Sequence, residues 1–524
     1  MKTYKYSKDK LQDKYDVIII GSGISGLCSA ALLGMEGKKV LVLEKHFKVG
    51  GFTHTFKRNK YEWDVGIHYI GAVHLKKTLP SKIFNKITEN NLKWNKMSDN
   101  YDRIIFPDKS YDFVAPKSKF IEMMKSYFPS ESSNIDQYVE IVAKVNQSMF
   151  KYFSTKALSG ISEFLLYKRY SKEFLSYSDK TTYQALSEIT SNEQLIGVLT
   201  GQWGDYGLPP KESSFAMHCA IAGHYFDGAN YPVGGSASIA ETIVPVIEKH
   251  NGEIFVSTGV DKIYIKDGKC KGVILENGDR IESSIVISSA GIQNTLAKFL
   301  RDESSLDEYK TNLHKVKPSC GYACLYVGFE EKAKSLGIEN TNQWIYPSYD
   351  HDLNTNTYMQ DETAPFPVTY ISFASSKDPA WDTNHPNTAT LEAIVPTNFN
   401  HFSQWADKPW KKRGDEYENY KQKFSERIIK EIYKHNSNLE GKIAYHELSS
   451  PLSTRDMAHY QFGELYGMDH TPSRFRQKWL KPKTPIKGLY LTGQDITTVG
   501  LPSALTSGVL TSSVIMKKNL FKSI

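Results

Sequence analysis

The sequence is poor in cysteine, with five in 524 residues. The five are scattered and odd in number, which excludes the dense disulfide framework of small secreted domains and favours a reducing compartment. Cys320 and Cys324 lie close together, but no second pair of cysteine or histidine stands nearby to complete a zinc site. We therefore expect the cysteines to be small, buried, apolar side chains, and we expect no bound metal ion.

Long apolar runs are also absent from the sequence. No stretch approaches the roughly 18 apolar residues that a membrane-spanning helix needs. Residues 1–14 are charged and contain no apolar segment, so they do not predict a signal peptide. These features predict a cytoplasmic location and a chain that does not cross a membrane.

Positive charge is not concentrated in any block. The formal net charge of +7 is mild for this length, and no lysine and arginine cluster predicts a nucleic-acid partner. The surplus would suit contact with an anionic membrane surface. Residues 160–175 (GISEFLLYKRYSKEFL) mix basic with apolar side chains, so the stretch from Phe164 to Phe174 could lie on a membrane as a peripheral contact. A helix of the domain with a solvated basic face is the alternative.

The first positive signal is a strand–helix–strand pattern. Residues 15–20 (YDVIII) are typical of a strand buried on both faces, and apolar residues at helical spacing follow over residues 24–35. A second buried strand is predicted over residues 40–43, and Glu44 ends it. The turn after the first strand has the sequence GSGISG, residues 21–26.

This turn has the glycine spacing of a dinucleotide-binding fold. Gly21 permits the tight turn, Gly23 lets the backbone approach a pyrophosphate, and Gly26 permits close packing of helix on strand. The helix N-terminus offers free N–H groups and the positive end of its dipole to the phosphates. Glu44 follows at the distance where a carboxylate can accept the ribose hydroxyls. The pattern therefore predicts a bound dinucleotide.

Two further glycine segments favour FAD over NAD. A Gly-Gly pair follows Glu44 in residues 50–53 (GGFT), where an extended flavin would run close to the backbone. Near the C-terminus, residues 488–495 (GLYLTGQD) resemble the strand and turn that bring glycine and aspartate to the ribityl chain and pyrophosphate. The next helix would point its N-terminus at the isoalloxazine. The predicted FAD-binding residues are Gly21, Ser22, Gly23, Ile24, Ser25, Gly26, Glu44, Lys45, Gly50, Gly51, Phe52, Thr53, Gly66, Ile67, His68, Val260, Gly493, Asp495, Gly500, Leu501 and Ala504.

Four more segments resemble a known family. They are residues 63–71 (WDVGIHYIG), 202–209 (QWGDYGLP), 231–236 (YPVGGS) and 491–495 (LTGQD). In this order, and over nearly the whole chain, they resemble the retinol saturase and carotenoid isomerase branch of the phytoene-desaturase-like flavoproteins. The resemblance is strongest to the retinol saturases. It implies an amine-oxidase-like fold, FAD, and redox chemistry on a double bond of a long apolar polyene, either a retinoid or a carotenoid.

The predicted fold class is α/β, with a Rossmann-like FAD-binding domain of the amine-oxidase type and an inserted α+β substrate domain. The FAD-binding domain is expected to be discontinuous, because strand, turn and helix signals return near residue 231 and again near the C-terminus. The predicted pieces are residues 1–85, 231–298 and 484–524 for the FAD-binding domain, and residues 86–230 and 299–483 for the substrate domain. No second G-x-G-x-x-G follows a predicted strand, so the electron donor or acceptor stays open.

Saturation of a double bond adds a hydride and a proton, so one acid is expected beside the flavin. Asp205 and His68 lie in the segments that carry the resemblance and are the predicted catalytic residues. A saturase is the leading interpretation. The alternatives are a cis–trans isomerase that uses reduced FAD without net redox change, a desaturase, and a non-enzymatic escort protein for a lipid.

Residues 350–361 begin like a calcium-binding loop. Thr355 stands where such a loop needs glycine for its sharp turn, and Asp361 stands where glutamate is usual. The segment is therefore predicted to be a solvated loop without calcium.

Overall fold

The computed structural model describes residues 4–12, 14–158 and 160–524, which form a mixture of strands and helices. The strands are β1 (Tyr4–Lys5), β2 (Val17–Ile20), β3 (Val40–Leu43), β4 (Thr55–Arg58), β5 (Tyr61–Asp64), β6 (Ile70–Gly71), β7 (Trp94–Lys96), β8 (Asn100–Ile105), β9 (Ser110–Val114), β10 (Ala229–Pro232), β11 (Glu253–Val256), β12 (Val260–Lys266), β13 (Lys269–Leu275), β14 (Arg280–Glu282), β15 (Val286–Ser288), β16 (Gly321–Phe329), β17 (Asn342–Ile345), β18 (Thr369–Ser372), β19 (Ala389–Thr397), β20 (Ile443–Ser449) and β21 (Leu489–Leu491).

The α-helices connect these strands and cover the sheets. They are α1 (Ile24–Met35), α2 (Leu79–Ile87), α3 (Lys117–Tyr127), α4 (Ser132–Thr155), α5 (Ile161–Ser178), α6 (Thr182–Ser187), α7 (Glu193–Leu199), α8 (Phe215–Tyr225), α9 (Ala237–Lys249), α10 (Asp307–Leu313), α11 (His351–Gln360), α12 (Ala374–Lys377), α13 (Trp381–Asn384), α14 (Asp415–His435), α15 (Pro451–Ala458), α16 (Pro472–Phe475) and α17 (Leu501–Met516).

A six-stranded parallel sheet has the order β1-β11-β3-β2-β15-β21. β2 and β3 consist of Val, Ile and Leu alone and are fully buried, as strands covered on both faces must be. α1, α9 and α17 share one hydrophobic core on one face of the sheet, and Val260 and Val273 of the small β12-β13-β14 sheet join the core on the other face. The parallel sheet takes its strands from three separate parts of the chain, which agrees with the predicted fold class. The proposed domain boundaries stay a prediction.

The inserted segments build a second layered region. Its mixed sheet has the order β20-β16-β19-β18-β17-β8-β9, in which β17 and β8 are the parallel pair. α4, α5 and α8 pack on one another. Their buried side chains form an aromatic-rich core that also includes Trp203 and Trp344. This core supplies the apolar surroundings of the candidate site.

A three-stranded sheet, β6-β10-β7, joins the two regions. Gly71 of β6 approaches α8 so closely that a Cβ there would lie 2.0 Å from the carbonyl oxygen of His224. The N–H of Gly71 also donates to the His224 ring at 2.7 Å. Only glycine permits so close an approach, and the hydrogen bond from its N–H holds β6 against α8. The preceding residues, His68 and Tyr69, are thereby fixed at the junction of the two regions.

Residues 350–361 are not the solvated loop that their composition predicts. They form α11, and the side chain of Asp350 caps its first turn by accepting the N–H of Leu353 at 2.9 Å. His351 and Asp352 are buried against the rest of the domain. The prediction of a loop was therefore wrong. The reason is that an aspartate at the start of a calcium loop and an aspartate that caps a helix look alike in sequence.

The helix expected to lie on a membrane is partly internal. Phe174 in α5 is fully buried and stacks on Tyr152, with 4.3 Å between ring centroids. The side chain of Phe164 lies outside the described residues. Among the described side chains of α5, Ile161 and Leu165 are the exposed large apolar ones. No helix among the described residues is long and apolar enough to span a membrane.

Candidate active site

The loop between β2 and α1 leaves a space in front of its backbone. Gly23 precedes α1 as its N-cap residue, and a Cβ on it would meet no atom within 4 Å. A Cβ on Gly26, in contrast, would lie 2.3 Å from the carbonyl oxygen of Gly21. Glycine at position 26 is thus needed for the fold, whereas glycine at position 23 leaves the helix N-terminus open to a ligand.

Glu44 follows β3 directly, beside this loop. Its carboxylate accepts hydrogen bonds from the N–H and the hydroxyl of Ser22, at 2.8 and 2.7 Å, and from the N–H of His46 at 2.7 Å. These bonds hold the carboxylate where dinucleotide folds bind the ribose. The ammonium of neighbouring Lys45 pairs with Glu276 at 2.8 Å.

The second glycine pair lies against the first glycine loop. Gly50 and Gly51 both have positive φ, and a Cβ on Gly51 would lie 3.0 Å from the Cα of Gly23. The hydroxyl of Thr53 closes the turn by donating to the carbonyl of Gly50 at 2.9 Å. The structure thus brings two distant glycine segments of the sequence into contact, as an extended dinucleotide requires.

The C-terminal segment completes this part of the cavity. Gly500 precedes α17 with φ +93°, and the first turn of α17 faces the cavity. The carboxylate of Asp495 accepts the N–H groups of Ile292 at 2.8 Å and Met468 at 3.1 Å, so both of its oxygens are used by the protein itself. Asp495 therefore holds the loop in place, and its carbonyl oxygen is used by the protein as well, since it accepts from the guanidinium of Arg474 at 3.2 Å.

All these segments line one continuous cavity of about 1900 Å³. Each predicted FAD-binding residue is part of its wall except Ser22 and Gly26, which support the glycine loop from behind. Ordinary small-molecule sites occupy roughly 300–1,000 Å³, so this cavity has room for a dinucleotide and a second molecule. The open glycine loop, the oriented Glu44 carboxylate and two helix N-termini in one cavity fit FAD.

The other end of the cavity is aromatic. The ring of Tyr69 stacks on that of Tyr225 with 4.5 Å between centroids, and the rings of Tyr370 and Trp344 lie 4.4 Å apart. We call these four side chains the aromatic wall, since all four line the cavity. Met217, Ile221 and Ile394 extend the apolar lining. Such a surface suits a long conjugated or aliphatic chain and offers it few hydrogen bonds.

Asp205 and His68, the two predicted catalytic residues, both line this end of the cavity. Burial and the nearby charge of Asp102 raise the pKa of Asp205 well above its ordinary value, which favours the protonated carboxyl. Burial, together with the charge of Lys377, lowers the pKa of His68 to about 3. His68 is therefore neutral, with a buried Nδ1 that has no hydrogen-bond partner in the described structure.

A cluster of buried charges lies behind His68. Lys377 is fully buried, and its ammonium donates to the carbonyl of His68 at 3.0 Å and to the hydroxyl of Ser372 at 2.7 Å. Asp64 and Glu392 are buried beside it. Burial raises the pKa of both carboxyls, and the positive charge of Lys377 opposes that shift.

Atoms of Asp64, His68 and Glu392 that could bind a metal ion lie within 4.8 Å of one another. However, Asp64 already accepts hydrogen bonds from the Tyr231 hydroxyl and the Ser236 N–H. With a buried ammonium close by, we interpret the cluster as an internal ion network.

Sequence reasoning missed several of these groups. Asp102, Asn342, Lys377 and Glu392 sit in strands or short helices of the inserted region, and no motif surrounds them. The one available signal was the presence of charged residues inside apolar strands, such as the glutamate of β19 (ATLEAIVPT). A charge in such a strand indicates a buried partner but does not identify it.

Comparison with known proteins agrees with the geometry. Residues 19–79 match the NAD(P)-binding Rossmann-like domain family. All-trans-retinol 13,14-reductase from Rattus norvegicus is 34% identical, with 98% of this chain and 88% of the rat protein covered. An inactive all-trans-retinol 13,14-reductase from Danio rerio is 30% identical, with 98% and 88% covered. Prolycopene isomerase 1 from an Oncidium hybrid cultivar is 27% identical over 58% of this chain and 53% of its own.

Solved structures share the fold at low sequence identity. An oxidoreductase from Methanosarcina mazei superposes with a TM-score of 0.62 and 17% identity, over 96% of this chain and all of that one. Putrescine oxidase superposes with a TM-score of 0.63 and 13% identity, over 96% and 99%.

The fold and the cavity define an FAD-binding oxidoreductase of the amine-oxidase type, so the predicted fold class, cofactor and enzyme class are confirmed. At 34% identity over nearly its whole length, the chain belongs to the all-trans-retinol 13,14-reductase family, and the family resemblance found in the sequence is confirmed.

Proposed function

We propose that the protein is an FAD-dependent saturase that reduces one C=C bond of a retinoid. The observation that carries the proposal is the Asp205 carboxyl, whose pKa burial raises well above its ordinary value, beside the aromatic wall of a cavity that continues into the dinucleotide site. Reductive chemistry on a polyene needs an apolar pocket, a hydride source and an acid. The three requirements meet in this cavity.

Bound reduced FAD would supply the hydride to one carbon of the double bond. The protein then has two tasks, which are to hold the polyene against the flavin and to give a proton to the other carbon. The aromatic wall serves the first task because stacked rings bury a flat chain and exclude water. Asp205 serves the second, since the raised pKa of its carboxyl favours the protonated form and the residue lines the same end of the cavity.

His68 is the weaker of the two candidate acids. A histidine with a pKa near 3 does not carry the second proton of an imidazolium at neutral pH. Its carbonyl is held by Lys377, and its ring packs 5.9 Å from that of Tyr370. We propose that His68 shapes the cavity between the flavin and the aromatic wall, and that proton transfer belongs to Asp205.

The names of the relatives support a retinoid more strongly than a carotenoid. The proteins similar over 98% of this chain carry names that refer to all-trans-retinol, whereas the prolycopene isomerase is similar over little more than half. One relative of similar identity is named as inactive, so membership of the family does not by itself establish turnover. The activity of this chain therefore needs a direct test.

We further propose that the apolar substrate enters from a membrane surface. Met149, Phe150 and Phe153 of α4 line the cavity, and Phe150 is 55% exposed. Ile161 and Leu165 of the following helix are 80% and 63% exposed. An apolar rim that continues into an apolar cavity suits a substrate dissolved in lipid, and the basic residues of α5 suit anionic headgroups.

The proposed activity is tested by anaerobic incubation of the photoreduced, FAD-loaded protein with a panel of retinoids and carotenoids. We expect all-trans-retinol to give a product heavier by two hydrogens, with one flavin oxidised for each product formed. A product of unchanged mass with altered double-bond geometry would make the protein an isomerase. A mass lowered by two hydrogens on incubation with oxidised protein would make it a desaturase.

A further inference from the structure

The hydroxyl of Tyr69 lies between two buried carboxyl groups. Its oxygen is 3.0 Å from Oδ2 of Asp102 and 3.2 Å from Oδ2 of Asp205. A hydroxyl has one hydrogen and can donate it to one of the two. The second carboxyl stays in hydrogen-bond contact with Tyr69 only by donating a proton of its own. The geometry therefore favours one protonated carboxyl at this position.

The two carboxyl groups differ in the hydrogen bonds that they accept. Asp102 accepts from the side-chain amides of Gln202 at 2.7 Å and Asn342 at 2.9 Å, as well as from Tyr69. Asp205 has Tyr69 as its side-chain partner within the described residues. Three donors stabilise a carboxylate, whereas a single shared hydroxyl does not.

We propose that Asp102 and Tyr69 form a positioning pair that keeps the proton on Asp205. Tyr69 donates its hydrogen to the ionised Asp102, and Asp205 donates its proton to the oxygen of Tyr69. Asp205 lines the cavity, but Asp102 does not, so Asp102 acts through Tyr69 and touches neither substrate nor cofactor. The inference deepens the proposed function and rests on it only where product formation is concerned.

The orientation of Asn342 supports this direction of the hydrogen bonds. Lys377 donates to Oδ1 of Asn342, which leaves the NH₂ group of the same amide to donate to Asp102. The ammonium also lies 5.7 Å from the centroid of the Tyr69 ring. A buried lysine thus fixes a donor toward Asp102, and its positive charge favours the ionised form of that carboxyl.

The electrostatic surroundings agree with this assignment. The pKa of Asp102 is raised to about 6. Burial raises it, whereas the hydrogen bonds from Asn342, Gln202 and Tyr69 and the charge of Lys377 oppose that rise. Burial and the charge of Asp102 raise the pKa of Asp205 well above its usual range. Among the described residues, the titratable groups that interact electrostatically with Asp205 include Asp102 and the tyrosines at positions 69, 206, 225, 322, 346, 370 and 466.

Infrared spectroscopy tests the assignment without substrate. The FAD-loaded, oxidised protein is labelled with ¹³C at its aspartate carboxyl carbons and measured in H₂O and D₂O at roughly pH 8, far above the ordinary aspartate pKa of about 4. We expect the C=O band of a protonated aspartate, which shifts in D₂O. The band should disappear in Asp205→Asn and persist in Asp352→Asn, a matched control on α11.

Two further variants separate the roles of the pair. In Asp102→Asn the band should persist and titrate at a pH lower by about one unit or more, because the neighbouring negative charge is gone. In Tyr69→Phe the band should remain but change frequency, because its hydrogen-bond partner is lost. If Asp102→Asn fails to retain FAD, Tyr69→Phe alone decides the matter.

The outcomes distinguish this inference from the proposed function. A band lost in Asp102→Asn and kept in Asp205→Asn would put the proton on Asp102 and overturn the inference, as would an unchanged frequency in Tyr69→Phe. Either result would leave reduction of a retinoid by the wild-type protein untouched. Conversely, absence of product with a band that behaves as expected would reject the proposed function and keep the positioning pair.

Discussion

The two halves of the cavity are built in different ways. At the dinucleotide end, the wall consists largely of backbone at Gly23, Gly50 and Gly500 and of two helix N-termini. At the substrate end, it consists of side chains such as Asp205 and Tyr370, contributed by the inserted region. The first half binds largely through backbone groups, with the Glu44 carboxylate added, and the second through the chemistry of individual side chains. Substitutions in the first should alter FAD retention, and those in the second should alter product formation.

The largest effect is expected from Asp205→Asn. The variant keeps the shape of the side chain but removes its transferable proton, so product formation should fall by about 10²- to 10⁴-fold. FAD content, measured by absorbance after gel filtration, should stay at the wild-type level. Asp352→Asn is the control and should keep wild-type rates. Loss of FAD together with activity in Asp205→Asn would break the proposed separation of the two halves.

The pH dependence of the reaction should have the same origin. Because the acid must carry its proton, product formation from reduced protein should be full at low pH and fall as the pH rises through the raised pKa of Asp205. Single-turnover rates across the pH range, with FAD content checked at each point, measure this fall in rate. The fall should be absent in Asp205→Asn. A fall at the same pH in that variant would assign the titration to another group.

A pair of glycine substitutions tests the dinucleotide end. Gly23→Ala introduces a Cβ that meets no protein atom within 4 Å, so thermal unfolding of the apo protein should not change. The same Cβ would occupy the space of the pyrophosphate and should weaken FAD binding by about 1–3 kcal/mol, or roughly fivefold to 150-fold in Kd. Gly26→Ala should instead destabilise the apo fold, because its Cβ meets the Gly21 carbonyl. Equal effects of both substitutions on the apo protein would contradict this distinction.

Glu44→Ala should have a comparable or smaller effect on FAD. It removes the acceptor for the Ser22 and His46 N–H groups and the expected partner of the ribose, and charged hydrogen bonds contribute about 1.5–3 kcal/mol each. Titration of apo protein with FAD measures the change in Kd, and Glu330→Ala, a surface substitution, is the control. Unchanged affinity in Glu44→Ala would mean that the ribose is bound elsewhere.

The smallest effect is expected at the exposed rim. Leu165→Glu adds a negative charge where we propose contact with lipid, so flotation with anionic liposomes should decrease while FAD content stays constant. Leu353→Glu, on the exposed side of α11, is the matched control. Liposome binding that is absent in the wild type, or equal in both variants, would remove the membrane route for the substrate.

The difference between the halves also explains what the sequence could predict. Gly21, Gly23, Gly26 and Glu44 occupy a continuous stretch of fixed spacing, because one strand, one turn and one helix must surround a pyrophosphate. The surroundings of Asp205 in the cavity depend on contacts between α8, β8 and β18. These elements are separated by up to more than two hundred residues in the sequence. Asp102 and Lys377 show no periodicity or motif that indicates this partnership, and only packing of the folded chain reveals it.

Two segments show how packing decides what local sequence leaves open. Residues 350–361 were predicted as a loop because Thr355 and Asp361 depart from the calcium-binding pattern, but a capping aspartate and tertiary burial make them helical. For α5 the sequence left open a membrane contact or a helix of the domain, and Phe174 is covered by Tyr152. In both cases local sequence is ambiguous, and long-range packing decides the structure.

The central claim, reduction of a double bond with a proton from the protein, is tested most directly by the mass of the product of one turnover in D₂O. Photoreduced, FAD-loaded protein is incubated anaerobically with all-trans-retinol, and the molecular mass of the recovered retinoid is measured by mass spectrometry. Because the flavin hydride and the Asp205 proton both exchange with solvent, we expect a product that has gained two deuterium atoms on carbon. A retinoid without added deuterium, while the flavin stays reduced, would contradict the account.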